Sequence, residues 1–282
     1  MEIAAETALR KPSVVIKPRR GLFQLKLISL WQHRELLYFL VWRDVMTRYK
    51  QTAIGAAWVI IQPIITMLIF TLIFGRLAKF SSDGIPYPVF AFTALLPWTY
   101  FSQALTKTSG SVTSSSNLVT KIYFPRLLIP LAASIAPAVD LFFSFVVLLA
   151  LMAWFKITPT FGLLALPLFL GLALLTALAV GLWSAALNVR YRDVGSLIPF
   201  LCQVWMYASP VAYSVSMVPE KWRLIYGLNP MVGVIEGFRW ALLGKSTPDY
   251  TMIAVSSAMV FILLAGGIVF FKRMEQTFAD VI

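Results

Sequence analysis

The sequence predicts an all-α integral membrane protein. The expected architecture is six transmembrane helices, an N-terminal amphipathic interface helix, short re-entrant outer helices before the last span, and both termini in the cytoplasm. Three observations carry this. Hydrophobic residues make up 59% of the 282-residue chain and charged ones only 13%, with a mean hydropathy of +0.80. A soluble domain of that length keeps too much surface to hide so much apolar side chain. Six uncharged runs each exceed the roughly 18 residues that mark a spanning helix, whereas barrel strands would alternate polar and apolar over about 10 residues. Finally, Lys and Arg are distributed unequally between the two sets of loops.

The runs are Gln51 to Gly75, Gly84 to Thr106, Leu127 to Phe155, Ile157 to Val189, Val194 to Pro219 and Tyr250 to Phe271, and Asp140 is the one charge inside any of them. Six crossings put both termini on one side, and that side holds 17 of the 24 Lys and Arg residues. The excess of basic residues places it in the cytoplasm. The net charge of +12 is then a topology signal; a nucleic-acid partner would need a basic folded domain that the chain lacks. Residues 1–20 are polar and basic, without the apolar core and small-residue cleavage site of a signal peptide. They read as a cytoplasmic tail, residues 21–50 as an interface helix and lead-in to the first span, and residues 51–282 as the six-helix membrane domain. Prolines in or near the spans (Pro63, Pro97, Pro130, Pro137, Pro199, Pro210) predict kinks or helix ends.

Three stretches are neither tail nor crossing. From Gly21 to Arg34 the residues Phe23, Leu27, Leu30 and Trp31 fall at helical spacing, as in a helix lying in the interface with basic residues toward anionic headgroups. Leu36 to Trp42 follows and is too short to cross. Between Lys107 and Arg126, a Ser/Thr-rich stretch leads to Asn117, which is placed to cap a short helix ending near Phe124, since Pro125 disfavours helical geometry before it. That helix would present Ile122, Tyr123 and Phe124 to water unless a partner protein or the chain's own helices covered them. Between Pro219 and Asp249, Trp222, Tyr226, Phe238 and Trp240 sit in a stretch too polar to cross. There Glu236 and Arg239 stand one helical turn apart and are placed to pair. Two short helices folding back toward the membrane fit this segment, as does an interfacial aromatic belt.

No catalytic constellation assembles. One histidine, His33, and one cysteine, Cys202, allow neither the usual triad nor a zinc cluster. Gly244-Lys245-Ser246 ends like a phosphate-binding loop, but its first glycine would fall at Arg239, so any ATP must bind another chain. Asp140 costs about 2.5–3.5 kcal/mol to insert in a span and is expected to face protein or water. A proton-coupled carrier working alone could use it, but one carboxylate without an intramembrane basic partner is thin support for that, and the expectation is a helix-packing hydrogen bond or a protonated acid.

The stretch from Leu37 to Pro63 (LYFLVWRDVMTRYKQTAIGAAWVIIQP) resembles the start of the ABC-2 type permeases, and most of all their polysaccharide-exporting branch. Asn117 to Arg126 with its KIYFPR, Asn188 to Asp193 (NVRYRD), and the ending Phe278-Ala-Asp-Val-Ile282 carry the same resemblance, which covers the chain from about Gly21 onward. The resemblance implies a permease homodimer docked to two copies of a separate ATPase that holds ATP and Mg, with no cofactor or metal in this chain. It further implies an inner-membrane, multi-pass location and a lipid-linked polysaccharide cargo such as O-antigen, on an undecaprenyl diphosphate carrier. Carried over residue by residue, the ATPase contacts would be Phe23, Leu27 and Trp31 of the interface helix, Ile122, Tyr123, Phe124 and Arg126 of a coupling helix, and Arg190, Tyr191 and Arg192 of the second cytoplasmic loop. Short outer helices between Pro219 and Lys245 are a further shared feature. A glycan conduit needs aromatic faces, for which Trp58, Trp98, Tyr100, Phe101, Trp205 and Tyr207 are the candidates. Arg43, Arg48 and Lys50 sit where a diphosphate head would enter, and Trp222, Tyr226, Glu236 and Arg239 where an outer gate would stand. The alternatives are an exporter of capsule, teichoic acid or a drug, the Asp140-dependent carrier, and an assembly protein.

Overall fold

A computed structural model describes residues 27–50, 56–244 and 249–278. The N-terminal tail and Phe23 lie outside the described residues. Within them the chain is helical, with no strands. A short helix α1 (Leu27–Gln32) turns at His33 into α2 (Arg34–Tyr49). Leu36 to Trp42, expected as a fragment too short to cross, is thus the first half of a 16-residue helix. Nothing between residues 34 and 49 breaks it, since neither Gly nor Pro occurs there, and Glu35 in the first turn and Arg48 in the last suit the helix dipole.

The apolar runs become α3 (Ala56–Phe70), α4 (Tyr87–Ser114), the pair α6 (Leu128–Ile135) and α7 (Ala138–Trp154), α8 (Leu166–Arg190), α9 (Asp193–Tyr207) and α12 (Tyr250–Glu275). Between them lie α5 (Ser116–Lys121), α10 (Glu220–Tyr226) and α11 (Pro230–Leu243). After Phe70 the first run continues as a π-helix, Thr71–Leu77. Pro137, which has no backbone donor, separates α6 from α7. Among the described residues, four stretches are long and apolar enough to cross a membrane: Ala57–Leu77, Leu128–Trp154, Phe161–Arg190 and Tyr250–Glu275. The fifth run does not form one continuous helix. α9 stops at Tyr207 after 15 residues, about 22 Å at a rise of ~1.5 Å each. The chain then turns through Pro210, and Arg239 fixes the turn by donating to the carbonyls of Val211 (3.1 Å) and Tyr213 (3.2 Å).

α4 is the hub. It packs along α8, which packs in turn along α12, and α3, α6, α7, α9 and α11 also lie against α4. Its apolar residues from Val89 to Leu105 are buried almost without interruption. Small residues set the helix spacing. A Cβ on Gly181 of α8 would come 2.5 Å from Thr108 Cγ2 of α4, and one on Gly267 of α12 would come 2.9 Å from the Ala179 carbonyl of α8. By contrast, Ile61, Ile65, Leu68, Ile69, Leu72 and Ile73 of the first run are exposed, an apolar stripe that water would penalise and lipid would not.

The loops collect at two ends. At one, Asn188 at the end of α8 donates to the Ser109 carbonyl of α4 (3.1 Å), and its amide oxygen accepts from Gly195 N–H of α9 (2.9 Å). At the other, Tyr87 at the start of α4 donates to the Ala212 carbonyl (2.6 Å), and Thr160, before α8, donates to Ala241 of α11 (3.0 Å). Arg126, Arg190 and Arg192 mark the first as the basic end, and α10 and α11 mark the opposite end.

Candidate functional site

At the basic end the short helix differs from its expected form. Ser115, not Asn117, stands at its N-cap, and it ends at Lys121, because Ile122 is already extended (φ −126°, ψ 136°). Residues 122–124 therefore lie on an irregular connector leading into Pro125, extended at Ile122 and bent at Phe124. Ile122 is 56% exposed and Tyr123 92%, whereas Phe124 is 8% exposed and packs inward. The expectation of three residues presented together fails for Phe124.

Phe124 belongs to a second apolar cluster, separate from the main core. It gathers Leu40 of α2, Val112 of α4, Val119 of α5, Leu128 of α6, Leu182 of α8 and Phe271 of α12. Phe278 closes it, its ring 5.3 Å from that of Phe271. Arg126 points the other way, donating to the Glu275 carbonyl at the end of α12 (2.5 Å). A cation on the terminal carbonyls of a helix suits its dipole. Arg190, Tyr191 and Arg192 are exposed on the connector between α8 and α9, with the Arg190 guanidinium 5.5 Å from the Tyr191 ring centre. Trp31 is exposed at the end of α1 beneath Arg34, 5.7 Å from its ring centre. The Leu27 side chain lies outside the described residues.

Asp140 has a basic partner, contrary to the expectation. The Arg48 guanidinium forms an ion pair with its carboxylate, and the Tyr49 hydroxyl donates to its other oxygen. Arg48 also donates to Gln103 Oε1 of α4 (3.1 Å). The last turn of α2 is thereby pinned to α4 and to the first turn of α7. Arg43 pairs with its neighbour Asp44 (2.8 Å), and Lys50 is exposed just past α2. Of the three cations set out for a diphosphate, two are engaged within the protomer.

The six conduit candidates divide. Trp98, Tyr100 and Phe101 are buried in the core around α4. Tyr100 donates to the Ser134 carbonyl (3.0 Å), and the Phe101 ring meets Trp205 edge-on, with centres 5.2 Å apart. Trp58 and Tyr207 are exposed. Trp205 is part-buried and donates to Asn229 Oδ1 (3.0 Å).

The opposite end holds the pair expected from spacing. Arg239 Nη1 lies 3.1 Å from Glu236 Oε1, with the Arg239 side chain buried and that of Glu236 14% exposed. The Arg239 guanidinium also sits 3.7 Å from the Phe90 ring centre, a cation–π contact that spreads its charge. With its two carbonyl acceptors, Arg239 ties α11 to α4 and to the turn after α9. Asp83 secures the same turn from the other side. Its carboxylate accepts from Ser214 Oγ (2.5 Å) and Ser216 Oγ (3.1 Å), holding Asp83 at a φ of 52°, a conformation costly for residues other than Gly. Burial, then the hydroxyl of Tyr213 (2.9 Å), holds the Tyr226 phenol above its ordinary pKa. Trp222 is exposed on α10. Gly244 ends α11 at a φ of +62°, the left-handed helix terminus that favours glycine. It is a helix cap, not part of a phosphate loop, and Lys245 and Ser246 lie outside the described residues.

Sequence reasoning missed Asn188, Asp83 and the Arg48–Asp140 pair. The last joins residues 92 positions apart, and the one signal present was the rarity of a carboxylate in a span.

Comparison with known proteins adds a family and several relatives. The family model for the ABC-2 type transporter matches residues 35–243. The chain is 29% identical over 258 residues to the O-antigen export system permease protein of Myxococcus xanthus, covering 90% of this chain and 98% of that one. It is 25% identical to the O-antigen export system permease protein of Klebsiella pneumoniae (88% and 95% covered). Identity to the polysialic acid transport protein of Escherichia coli is 23% (83% and 91% covered).

Proposed function

The chain belongs to the ABC-2 type transporter family, and from that premise we propose that it is the permease subunit of an ATP-driven polysaccharide exporter in the inner membrane, with O-antigen as the leading cargo. One observation carries the reading: similarity to O-antigen export permeases runs along 90% of this chain and 98% of one relative. Similarity to capsule-type transporters is lower in identity, which ranks capsule cargo second.

In this reading six elements cross the membrane. Four are the long apolar stretches, α4 is a fifth sheathed by the others, and α9 with the turn after it is the sixth. The basic end faces the cytoplasm, as the Lys and Arg distribution requires, and the end with α10 and α11 faces outward. Two copies of the chain form the pathway, and two copies of a nucleotide-binding subunit supply ATP hydrolysis with Mg.

Tyr123, Ile122, Tyr191, Arg190, Arg192 and Trp31 are exposed at the basic end and form the grip for that subunit. Phe124 lies behind the grip, in the cluster shared with α2, α4, α8 and α12. A push on the connector reaches four helices at once through close-packed side chains, which transmit displacement because they have no slack. Hydrolysis then shifts the balance between closed and open arrangements. Trp58 and Tyr207 offer aromatic faces to a glycan, Arg43, Arg48 and Lys50 offer cations to its carrier's headgroup, and Glu236–Arg239 with Trp222 and Tyr226 forms the outer gate.

The test is biochemical isolation. Purified alone, the protein hydrolyses no ATP; purified from its own host, it brings a nucleotide-binding subunit with it, and deleting its gene removes a surface polysaccharide. Export-competent protein recovered without such a subunit would overturn the reading.

A further inference from the structure

The geometry points to a saccharide-binding subsite at the α10–α11 end: the cavity framed by Trp205, Trp222, Tyr226 and Asn229 holds a pyranose ring of the exported polymer by stacking. This rests on the polysaccharide reading and adds to it a place, a chemistry and a ligand class. The cavity has a volume of about 390 Å³, within the range of small-molecule sites and ample for a sugar unit. Ala208, Val218 and Ile225 complete its wall, which is largely apolar.

The polar groups of Asn229, Trp205 and Tyr226 are already engaged. Asn229 Oδ1 accepts from Trp205 Nε1 (3.0 Å) and from Met231 N–H (3.1 Å), while its Nδ2 donates to Ser209 Oγ (2.9 Å) and the Ala208 carbonyl (3.2 Å). Tyr226 shares its hydroxyl with Tyr213 (2.9 Å). What the wall offers a ligand is therefore mainly aromatic and aliphatic surface, with the Trp222 indole N–H as a donor. A site that demanded specific hydroxyls would reject any sugar lacking them and would hold the right one firmly. A wall of aromatic faces accepts the C–H side of any pyranose weakly, and weak binding suits a polymer that must slide on, since conduction requires sites a cargo can leave.

A lipid tail is the competing occupant. The rim argues against it, because α10 opens with exposed Glu220 and Lys221 immediately before Trp222. A charged first turn sets this edge at the water-facing side of the interface, where Trp and Tyr gather with their polar edges wet.

The experiment uses the full chain in lipid nanodiscs and, as probes, neutral tri- and tetrasaccharides of mannose, rhamnose and galactose, read by saturation-transfer NMR. Expected are millimolar binding, transfer concentrated on ring C–H protons, and affinity about threefold to tenfold weaker in Trp222→Ala, the range of one aromatic contact. Trp222 is 53% exposed, so the variant keeps its fold; Trp222→Phe retains most of the binding, and Trp154→Ala, outside the cavity, retains all of it. Unchanged binding in Trp222→Ala overturns the subsite, as does the absence of transfer from every probe. Tryptophan quenching by lipids brominated along the acyl chain that is lost in Trp222→Ala, and not relieved by sugar, overturns it in favour of lipid. The wider reading fails separately, when deleting the gene leaves the cell's surface polysaccharide intact.

Discussion

Replacing Arg48 with Met tests the lock between α2 and α7. The change keeps a long side chain on α2 but leaves the Asp140 carboxylate, 6% exposed, with the Tyr49 hydroxyl as its remaining partner among the described residues. Breaking a buried pair by removing one partner costs about 3–5 kcal/mol, because the survivor keeps its desolvation penalty. Arg48 is itself 29% exposed, so part of its attraction is screened and the lower end, about 3 kcal/mol, applies. At roughly 2–4 °C per kcal/mol for a chain of this size, the melting temperature in detergent falls by about 6–12 °C. Asp140→Asn alone removes the charge and keeps the shape, so its loss is smaller. The double variant recovers much of what Arg48→Met loses, because no charge is then stranded. The assay is a four-variant thermal cycle by fluorescence-detected size exclusion. Additive losses, with the double variant as unstable as the sum of the singles, would show that the two residues are not coupled and would refute the lock.

Other variants probe the remaining contacts. Tyr123→Ala leaves the stability within about 0.5 kcal/mol of wild type, since the side chain is solvent-exposed, while export falls; unaltered export removes Tyr123 from the grip. Phe124→Ala, next in sequence but buried, lowers stability by about 3 kcal/mol or more, and equal stability for the two variants would contradict their opposite placement. Gly181→Leu drives a side chain into Thr108 across the α4–α8 contact, so monodisperse protein is lost; normal yield would mean that the helices are not that close. Arg239→Leu destabilises by about 3–5 kcal/mol by stranding the mostly buried Glu236, and adding Glu236→Leu restores part of it, as measured by thermal unfolding.

Much of this fold was legible because a membrane simplifies the code. Uncharged runs located the long helices, and the turn-by-turn spacing of Glu236 and Arg239 announced their pairing, since both are local features. The helix ends were harder. The fifth run reaches Pro219 with Pro210 marking a kink or helix end, and the chain leaves the helix at Tyr207, just before a turn whose Val211 and Tyr213 carbonyls find partners on Arg239, a residue on another element. The aromatic residues Trp98, Tyr100 and Phe101 could not be sorted from Trp58 and Tyr207 by sequence. All stand in apolar runs, and a helix sheathed on every side shows no polar stripe to reveal its orientation. The Arg48–Asp140 pair was hidden for a related reason, since the two residues meet only when α2 folds against α7.

The enclosure of α4 has a mechanical consequence. A helix wrapped by its own chain has no bare flank to lend to a channel shared between two subunits. The lining of any such channel falls to the outer members, α3 with its stripe of bare isoleucines and leucines and α9 with Tyr207. In the proposed two-subunit exporter, widening the passage would ask these flanks to swing about a stationary mast, leaving the best-packed part of the molecule undisturbed.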